Sequence, residues 1–267
     1  MWVLPFISEQ DFYEHVKATI NKYGEKLITF DLKRFNKNII DPIKLIFDKN
    51  VYGFTWDEII KNEIFRQRDK SNNNEIGYFH QRIFQYMQDC EVPQSGWDVI
   101  FSPKSGIKID DENDDKNTVR RVFVEMKNKH NTMNSSSSGK TYIKMQHQLL
   151  EDGDCACFLV EAIAKKSQNI PWSISVDGKQ KKHQRIRRVS MDEFYSLVTG
   201  QEDAFYQICM QLPKTIEKVI SEMPANTIPH DSVKDELSKT FSFNSSEDYF
   251  LLALYMLGFE GYKGFSQ

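Results

Sequence analysis

Residues 122–127, Val-Phe-Val-Glu-Met-Lys, constrain the fold of this chain more than any other stretch. They begin as a buried strand, because they are apolar and rich in β-branched and aromatic side chains. The stretch ends on Glu125 and Lys127, which share one face because strand side chains two positions apart point the same way. Charged groups are rarely buried without a partner or a function. The stretch therefore predicts either a simple Glu125–Lys127 ion pair at a strand exit or one side of a reactive site.

A second strand candidate, residues 96–101, supplies an acid at its start, Asp98. If the two strands are neighbours, Asp98 and Glu125 form an all-oxygen carboxylate pair. Such a pair suits a hard divalent cation, Mg²⁺ above all. Lys127 would then stand beside the cation, where a water or a phosphate would lie.

The helix expected before this strand adds weaker candidates. Glu75, at its start, is a possible further acid, and His80 and Gln81 follow about one turn later. A lone His or Gln at such a position is more often a packing or surface group. Lys144, Gln146 and Gln148, on a later helix, either face the site or are simply solvated.

Periodicity divides the chain into a helical first third, a β-rich middle and a helical last third. The predicted helices cover residues 8–23, a segment after Asp41-Pro42, a segment opening at Thr55, 75–87, 141–151, 191–199, 203–221 and 246–257. Residues 69–74 break the pattern before the helix at 75. The predicted strands are 97–102, 106–109, 119–127 and 155–163, with 172–176 and 187–189 as further candidates. The helix between the strands at 119–127 and 155–163 favours a parallel pair.

Length and composition indicate an ordinary globular protein of 267 residues, long enough for a sizeable core. No stretch approaches a membrane span, and the N-terminus lacks the basic and long apolar regions of a signal peptide. We therefore expect a cytoplasmic protein. The four cysteines have neither disulfide nor zinc spacing, and Cys155 and Cys157 are expected to be reduced core residues.

The charge is unevenly distributed. Five acids crowd residues 110–115, and without them the formal charge of −3 would become +2. A dense basic run follows much later: Lys179, Lys181, Lys182, Arg185, Arg187 and Arg188. Local basic patches matter more for nucleic-acid binding than whole-chain charge. The alternative interpretation of the run is a solvated hairpin.

A rival motif is Ser-Gly-Lys-Thr at residues 138–141, which follows a strand and opens a helix as a phosphate-binding loop would. That loop pattern needs a glycine where Asn134 stands, and the segment lacks the glycines that let backbone N–H groups surround a phosphate. Lys140 is better interpreted as a DNA phosphate contact or a surface lysine.

The set Asp98, Glu125 and Lys127 resembles the PD-(D/E)xK nuclease core, although Trp97 stands next to Asp98 where the motif has its proline. Three longer strings carry a closer likeness: Asn-Glu-Ile-Gly-Tyr-Phe-His-Gln at 74–81, Gly-Trp-Asp-Val at 96–99, and residues 123–134. They resemble type II restriction endonucleases that cut GGNCC or GGWCC sites. The likeness runs over most of the chain.

The resemblance implies a mixed α/β fold, with the central sheet of the nuclease core flanked by helices. It implies a single domain over residues 1–267, with a core at about 75–165, a helical part at 1–74, and a C-terminal part at 166–267 that carries DNA-binding and helical elements. It also implies Mg²⁺-dependent cleavage of double-stranded DNA, with Asp98, Glu125 and the Met126 carbonyl holding the metal. A near-palindromic site implies a homodimer, and self-protection implies a companion DNA methyltransferase.

Candidate DNA contacts lie in the polar loop 128–144 and in the basic run. They are Lys129, His130, Asn131, Lys140, Lys181, Lys182, Arg185, Arg187 and Arg188. Two other classes of protein remain open. One is a structure-selective or repair nuclease with the same core, and the other is a DNA-binding module without activity.

Overall fold

A computed structural model describes residues 2–26, 29–109, 118–130, 133–176, 178–223, 231–240 and 247–258. The acidic run at 110–115 and the candidate DNA contact Asn131 lie outside these residues. The helices are α1 (Glu9–Lys26), α2 (Leu32–Asn36), α3 (Pro42–Tyr52), α4 (Trp56–Arg82), α5 (Ser135–Glu151), α6 (Met191–Thr199), α7 (Ala204–Glu222), α8 (Val233–Thr240) and α9 (Glu247–Gly258). The strands are β1 (Cys90–Glu91), β2 (Val99–Phe101), β3 (Ile107–Lys108), β4 (Thr118–Val119), β5 (Arg121–Lys129), β6 (Cys155–Ile163), β7 (Asn169–Val176) and β8 (Lys179–Ser190).

The central sheet has six strands in the order β1-β2-β5-β6-β8-β7, and β3 pairs with β4 in a separate ribbon. The pairs β1/β2, β2/β5 and β7/β8 are antiparallel. The pairs β5/β6 and β6/β8 are parallel, as the strand-helix-strand pattern predicts for β5, α5 and β6. The sheet is mixed and flanked by helices, which confirms the predicted fold class.

The two faces of the sheet are buried by different helices. On one face, Val122, Val124 and Phe158 pack in a core with side chains from α1, α6 and α7. On the other face, Phe123 and Leu159 pack with side chains of α5, in a second core that also holds Cys155 and Cys157. Both cysteines are buried free thiols, as expected. Because strand side chains alternate between faces, Glu125 and Lys127 belong to the α5 face.

The capping signals near the N-terminus predict the helix starts correctly. The Ser8 hydroxyl accepts from the backbone N–H of Asp11 at 3.0 Å at the start of α1. The Asp41 carboxylate accepts from the first N–H groups of α3, and Thr55 forms a reciprocal capping box with Glu58 at the start of α4.

The predicted helix break at residues 69–74 is wrong, because α4 continues through this polar run. The Asn73 side-chain amide donates to the Asp69 carbonyl oxygen at 3.0 Å and to the Asp69 carboxylate at 2.9 Å. These bonds span one helical turn, so they satisfy the polar side chain inside the helix instead of competing with it.

Helix α5 begins at Ser135, six residues before the predicted start at 141. The Asn134 side chain accepts from the Ser137 N–H at 2.8 Å, and the Ser137 and Ser138 hydroxyls donate to the Asn134 carbonyl. The serine run is therefore a capped first turn rather than a loop tip. The Ser-Gly-Lys-Thr motif accordingly lies within a helix and forms no phosphate-binding loop.

The described residues form two compact units. One comprises residues 1–20 and 75–224, and contains the central sheet. The other comprises residues 21–74 and 225–267, and has its own core around Phe35, Leu45, Ile60 and Leu254. The assignment of the whole chain to a single domain stays a prediction. In the described part of the chain, no helix is both long enough and apolar enough to cross a bilayer.

Candidate active site

Asp98 lies immediately before β2 and is held against β5 by two hydrogen bonds. Its backbone N–H donates to the Val124 carbonyl at 2.9 Å, and its Oδ2 accepts from the Met126 N–H at 2.6 Å. The register pairs Val99 with Val124, so one step further along the ladder Asp98 stands opposite Glu125. Gln81 of α4 donates to the Asp98 carbonyl oxygen at 3.1 Å and fixes the backbone of this acid.

Glu125 receives two ammonium groups. The Lys127 Nζ lies 2.8 Å from its Oε1, and the Lys144 Nζ lies 2.9 Å from its Oε2. The Glu125 side chain is 19% exposed, and that of Lys127 is 29% exposed. The structure therefore brings Asp98, Glu125 and Lys127 together where β2 begins to pair with β5, and adds a second lysine from α5.

The two carboxyls differ in pKa. Burial raises the pKa of Asp98 above its usual range, and the charge of Glu125 adds to this rise against the opposing hydrogen bond from Met126. Burial acts in the same direction on Glu125, but the hydrogen bonds from Lys127 and Lys144 outweigh it, so its pKa lies below its usual range. Opposite shifts in adjacent acids are typical of functional sites.

The donor atoms of this cluster suit a hard cation. Asp98 and Glu125 stand opposite each other in the register of β2 and β5, and the Met126 N–H donates to Asp98. Because the N–H and C=O groups of one strand residue point to the same side, the Met126 carbonyl oxygen lies on the Asp98 side of β5. Among the residues that the structure describes, no group of three or more His, Cys, Asp or Glu side chains is arranged to hold a metal ion. A cation here would therefore use two carboxylates, a backbone oxygen and water, as Mg²⁺ commonly does.

Comparisons with known proteins identify the family of this chain. A profile of the Eco47II restriction endonuclease family matches residues 4–221. The chain belongs to this family. It is 30% identical over 222 residues to the type II restriction enzyme Sau96I of Staphylococcus aureus, and the aligned region covers 80% of each chain. It is also 30% identical over 234 residues to the type II restriction enzyme Eco47II of Escherichia coli, covering 83% of this chain and 90% of that one. The predicted resemblance to type II restriction endonucleases, and with it the prediction of an enzyme, is confirmed.

The helix α4 residues proposed from sequence take different positions in this restriction-endonuclease fold. Gln81 supports Asp98, as described above. Burial lowers the pKa of His80 to about 4, and its ring packs edge-on against Phe79 at 5.6 Å. Glu75 is half-buried, and the described contacts include no hydrogen bond or ion pair of its carboxylate. Two residues further on, Gly77 lies against the Asn128 side chain, which a Cβ atom would meet at 3.0 Å.

A second charged cluster adjoins Lys127 on the same face. Glu161 of β6 pairs in register with Lys127 and is only 1% exposed. Its carboxylate accepts from the Arg188 guanidinium, and the His130 Nδ1 lies 3.1 Å from its other oxygen. Arg188 Nη2 also lies 2.7 Å from that His130 nitrogen. Glu161, Arg188 and Lys127 line a cavity of about 60 Å³ together with Lys129, Met133, Ser138 and Trp172.

The basic run occupies β8, and its members differ in exposure. Arg187 is 3% exposed, and its guanidinium donates to the Asn169 side-chain oxygen and carbonyl at 2.6 Å each. Arg185 donates to the Gly153 carbonyl at 2.6 Å. Lys181 is half-buried and Lys182 is exposed, where β8 pairs with β7. Arg187 therefore holds two strands together, while the two lysines are accessible to a ligand.

Two contacts were underestimated from sequence. The sequence left open whether Lys144 faces the site or the solvent, and in the structure its amine contacts Glu125. Gln148, one turn later, accepts a hydrogen bond from the Trp97 indole N–H at 3.0 Å. Their i, i+4 spacing on one helix face was the available signal. Glu161 was not proposed as a site residue, although a glutamate that follows an apolar run within a strand is the same signal that identifies Glu125.

Proposed function

We propose that this chain is a type II restriction endonuclease that hydrolyses double-stranded DNA with Mg²⁺ at Asp98, Glu125 and Lys127. The observation that carries the proposal is the convergence of these three side chains where β2 begins to pair with β5. The names of the relatives Sau96I and Eco47II support the same reaction class.

In this proposal Asp98, Glu125 and the Met126 carbonyl hold the cation. When bound, Mg²⁺ would supply positive charge to the phosphoryl oxygens and acidify a bound water. Asp98 is fixed for this role from two sides, by the Met126 N–H and by Gln81. Because both carboxyls are fixed before substrate arrives, little reorganisation is needed at the moment of reaction.

Lys127 takes the third role. Its ammonium group lies 2.8 Å from Glu125 and is partly exposed, so it can reach a phosphate beside the acids. There it offsets phosphate charge and orients the attacking water by hydrogen bonding. It is a positively charged donor with no acceptor capacity, which suits contact with an anionic oxygen.

Further DNA contacts are proposed on β5, α5 and β8. Lys129 and Arg188 line the cavity beside Lys127, and the exposed Lys140 lies near the start of α5. Lys181 and Lys182 extend the basic surface along β8. His130 and Arg185 stay in the proposed set as weaker members, because each already contacts the protein. We leave out Arg187 because it is buried against Asn169.

The finer features follow from the resemblance described above. We propose a GGNCC- or GGWCC-like recognition site, a homodimer matched to its near two-fold symmetry, and a companion methyltransferase. The buried free thiols Cys155 and Cys157 support a cytoplasmic location.

The test is incubation of phage DNA with the purified chain and Mg²⁺, followed by sequencing of fragment ends. Discrete bands with one shared end sequence are expected. A smear would indicate a structure-selective or repair nuclease, and no cleavage with any divalent cation would indicate a DNA-binding module. Sedimentation of the protein, free and with a site-bearing duplex, tests the dimer.

The site assignment needs its own variants. Glu125→Gln and Asp98→Asn should abolish cleavage while DNA binding persists or tightens, because each removes negative charge near the phosphate. The matched control is Glu151→Gln, which removes an exposed α5 carboxylate paired with His147 and should cut normally. Cleavage by either site variant at saturating Mg²⁺ would refute the assignment.

A further inference from the structure

The amine of Lys144 is held by three separate groups. It lies 2.9 Å from Glu125 Oε2, 2.5 Å from the Gly96 carbonyl oxygen, and 4.0 Å from the centre of the Trp97 ring. A lysine ammonium has three donors on a flexible stem, so contacts of this kind fix a group that is normally mobile. The Trp97 ring is itself oriented by its hydrogen bond to Gln148.

Both oxygens of Glu125 carry a lysine in this structure. Lys127 contacts Oε1, and Lys144 contacts Oε2. A carboxylate oxygen can accept more than one contact, but a divalent cation bound to either oxygen of Glu125 would meet the positive charge of one of these amines. Lys144 can release its oxygen at lower cost, because the Gly96 carbonyl and the Trp97 face remain as partners for its charge.

We propose that Lys144 is a tethered cation that occupies Glu125 in the metal-free protein and yields Oε2 when a divalent cation binds. In this role it sets the metal affinity of the site. The Gly96 carbonyl and the Trp97 ring receive its amine, and Gln148 is a positioning residue that orients Trp97. The inference rests on the proposed function, because it takes Glu125 as a metal ligand.

Two consequences follow from the competition. Removing the Lys144 charge should tighten metal binding, since the cation no longer displaces an ammonium group and no longer meets its repulsion. The same change should destabilise the metal-free protein, because the charge of Glu125 loses one of its two partners. A residue that simply supported the fold of the site would weaken metal binding instead.

The experiment measures Mn²⁺ binding to the full chain without DNA, with free Mn²⁺ quantified by electron paramagnetic resonance. Lys144→Met should lower the Kd for Mn²⁺ roughly tenfold, about 1.4 kcal/mol. Lys144→Gln, which keeps a donor for the Gly96 carbonyl, should act in the same direction if the Met variant folds poorly. Thermal unfolding should show a lower Tm without metal and a larger rise with Mn²⁺ than for the unmodified chain.

The matched control is Lys218→Met. Lys218 also pairs with a glutamate, Glu9, at 3.3 Å and lies 5.3 Å from an aromatic ring, that of Tyr13. This variant should bind Mn²⁺ with unchanged affinity.

Glu125→Gln separates the two proposals. Loss of Mn²⁺ binding in this variant, with unchanged or weaker binding in both Lys144 variants, would overturn the role of Lys144 and leave the metal site intact. Full Mn²⁺ binding by Glu125→Gln would instead refute the metal site itself.

Discussion

Glu161 offers the sharpest test of the charged cluster beside the site. Its carboxylate is 1% exposed and is held by Arg188 and His130, whose side chains are 21% and 18% exposed. Replacing Glu161 by leucine keeps the volume but leaves the guanidinium of Arg188 half-buried without its counter-charge. Removing one partner of a buried pair lowers the free energy of unfolding by roughly 3–5 kcal/mol. Because Arg188 is partly exposed, we expect a loss at the lower end of this range, about 3 kcal/mol. For a unit of this size that is a fall in Tm of about 6–12 °C.

The magnitude can be isolated by a double-mutant cycle. The double variant Glu161→Leu/Arg188→Met removes both charges and should recover about 2 kcal/mol of the loss, since a well-packed apolar pair often replaces a buried ion pair at little cost. The matched control is Arg120→Met, which breaks the exposed pair with Asp154 at 3.3 Å and should change stability by less than about 0.5 kcal/mol.

Urea unfolding followed by circular dichroism and by tryptophan fluorescence provides the measurement. Because the chain has two compact units, the two probes must give coincident transitions before a single free energy of unfolding is used. The reasoning fails if Glu161→Leu loses less than about 1 kcal/mol, or if the double variant is no more stable than Glu161→Leu alone.

Three further outcomes are expected. Asp98→Asn should raise the free energy of unfolding at neutral pH by about 1 kcal/mol, within the usual range for a single stabilising substitution. Because the pKa of Asp98 is higher in the folded than in the unfolded protein, its ionisation lowers the stability of the unmodified chain as pH rises. The gain from Asp98→Asn should therefore vanish as pH falls below the ordinary aspartate range. A gain that is constant with pH would contradict this. Asn134→Ala should cost about 1 kcal/mol in urea unfolding through loss of the α5 cap, and an unchanged midpoint would count against the cap. Lys181→Ala and Lys182→Ala should each lower the slope of log K against log salt for DNA binding by about one, and unchanged slopes would leave these lysines as solvated groups.

The pairing of Asp98 with Glu125 was predictable because it depends on local pattern. Each acid adjoins an apolar run, and the register that buries Val99 and Val124 also sets the two acids opposite each other. Helix starts were predictable where a single side chain caps them, as at Ser8 and Asp41. The start of α5 was missed because serine and asparagine runs are compatible with both a loop and a capped first turn.

The long-range contacts of the site were less accessible. Lys144 reaches Glu125 only because α5 is rotated to place that helix face over β5, and the rotation follows from the packing of Tyr142 and Met145 in the core. The Glu161 cluster requires β8 to lie between β6 and β7, since Glu161 and Arg188 come from neighbouring parallel strands. The register between β6 and β8 cannot be read from local sequence patterns, and the order of the strands depends on the whole sheet.

The basic run on β8 illustrates why a charge pattern alone does not define a nucleic-acid interface. Arg187 and Arg188 are adjacent, so the alternation of a strand sends them to opposite faces of the sheet. Arg187 donates to Asn169 and to the Gln184 carbonyl, whereas Arg188 meets the buried Glu161 beside Lys127. An arginine that stabilises its own sheet has few donors left for a phosphate. Within the run, the proposal of a DNA contact therefore applies first to the lysines that keep their amines at the surface, and to Arg188 only through the donors that Glu161 and His130 leave unused.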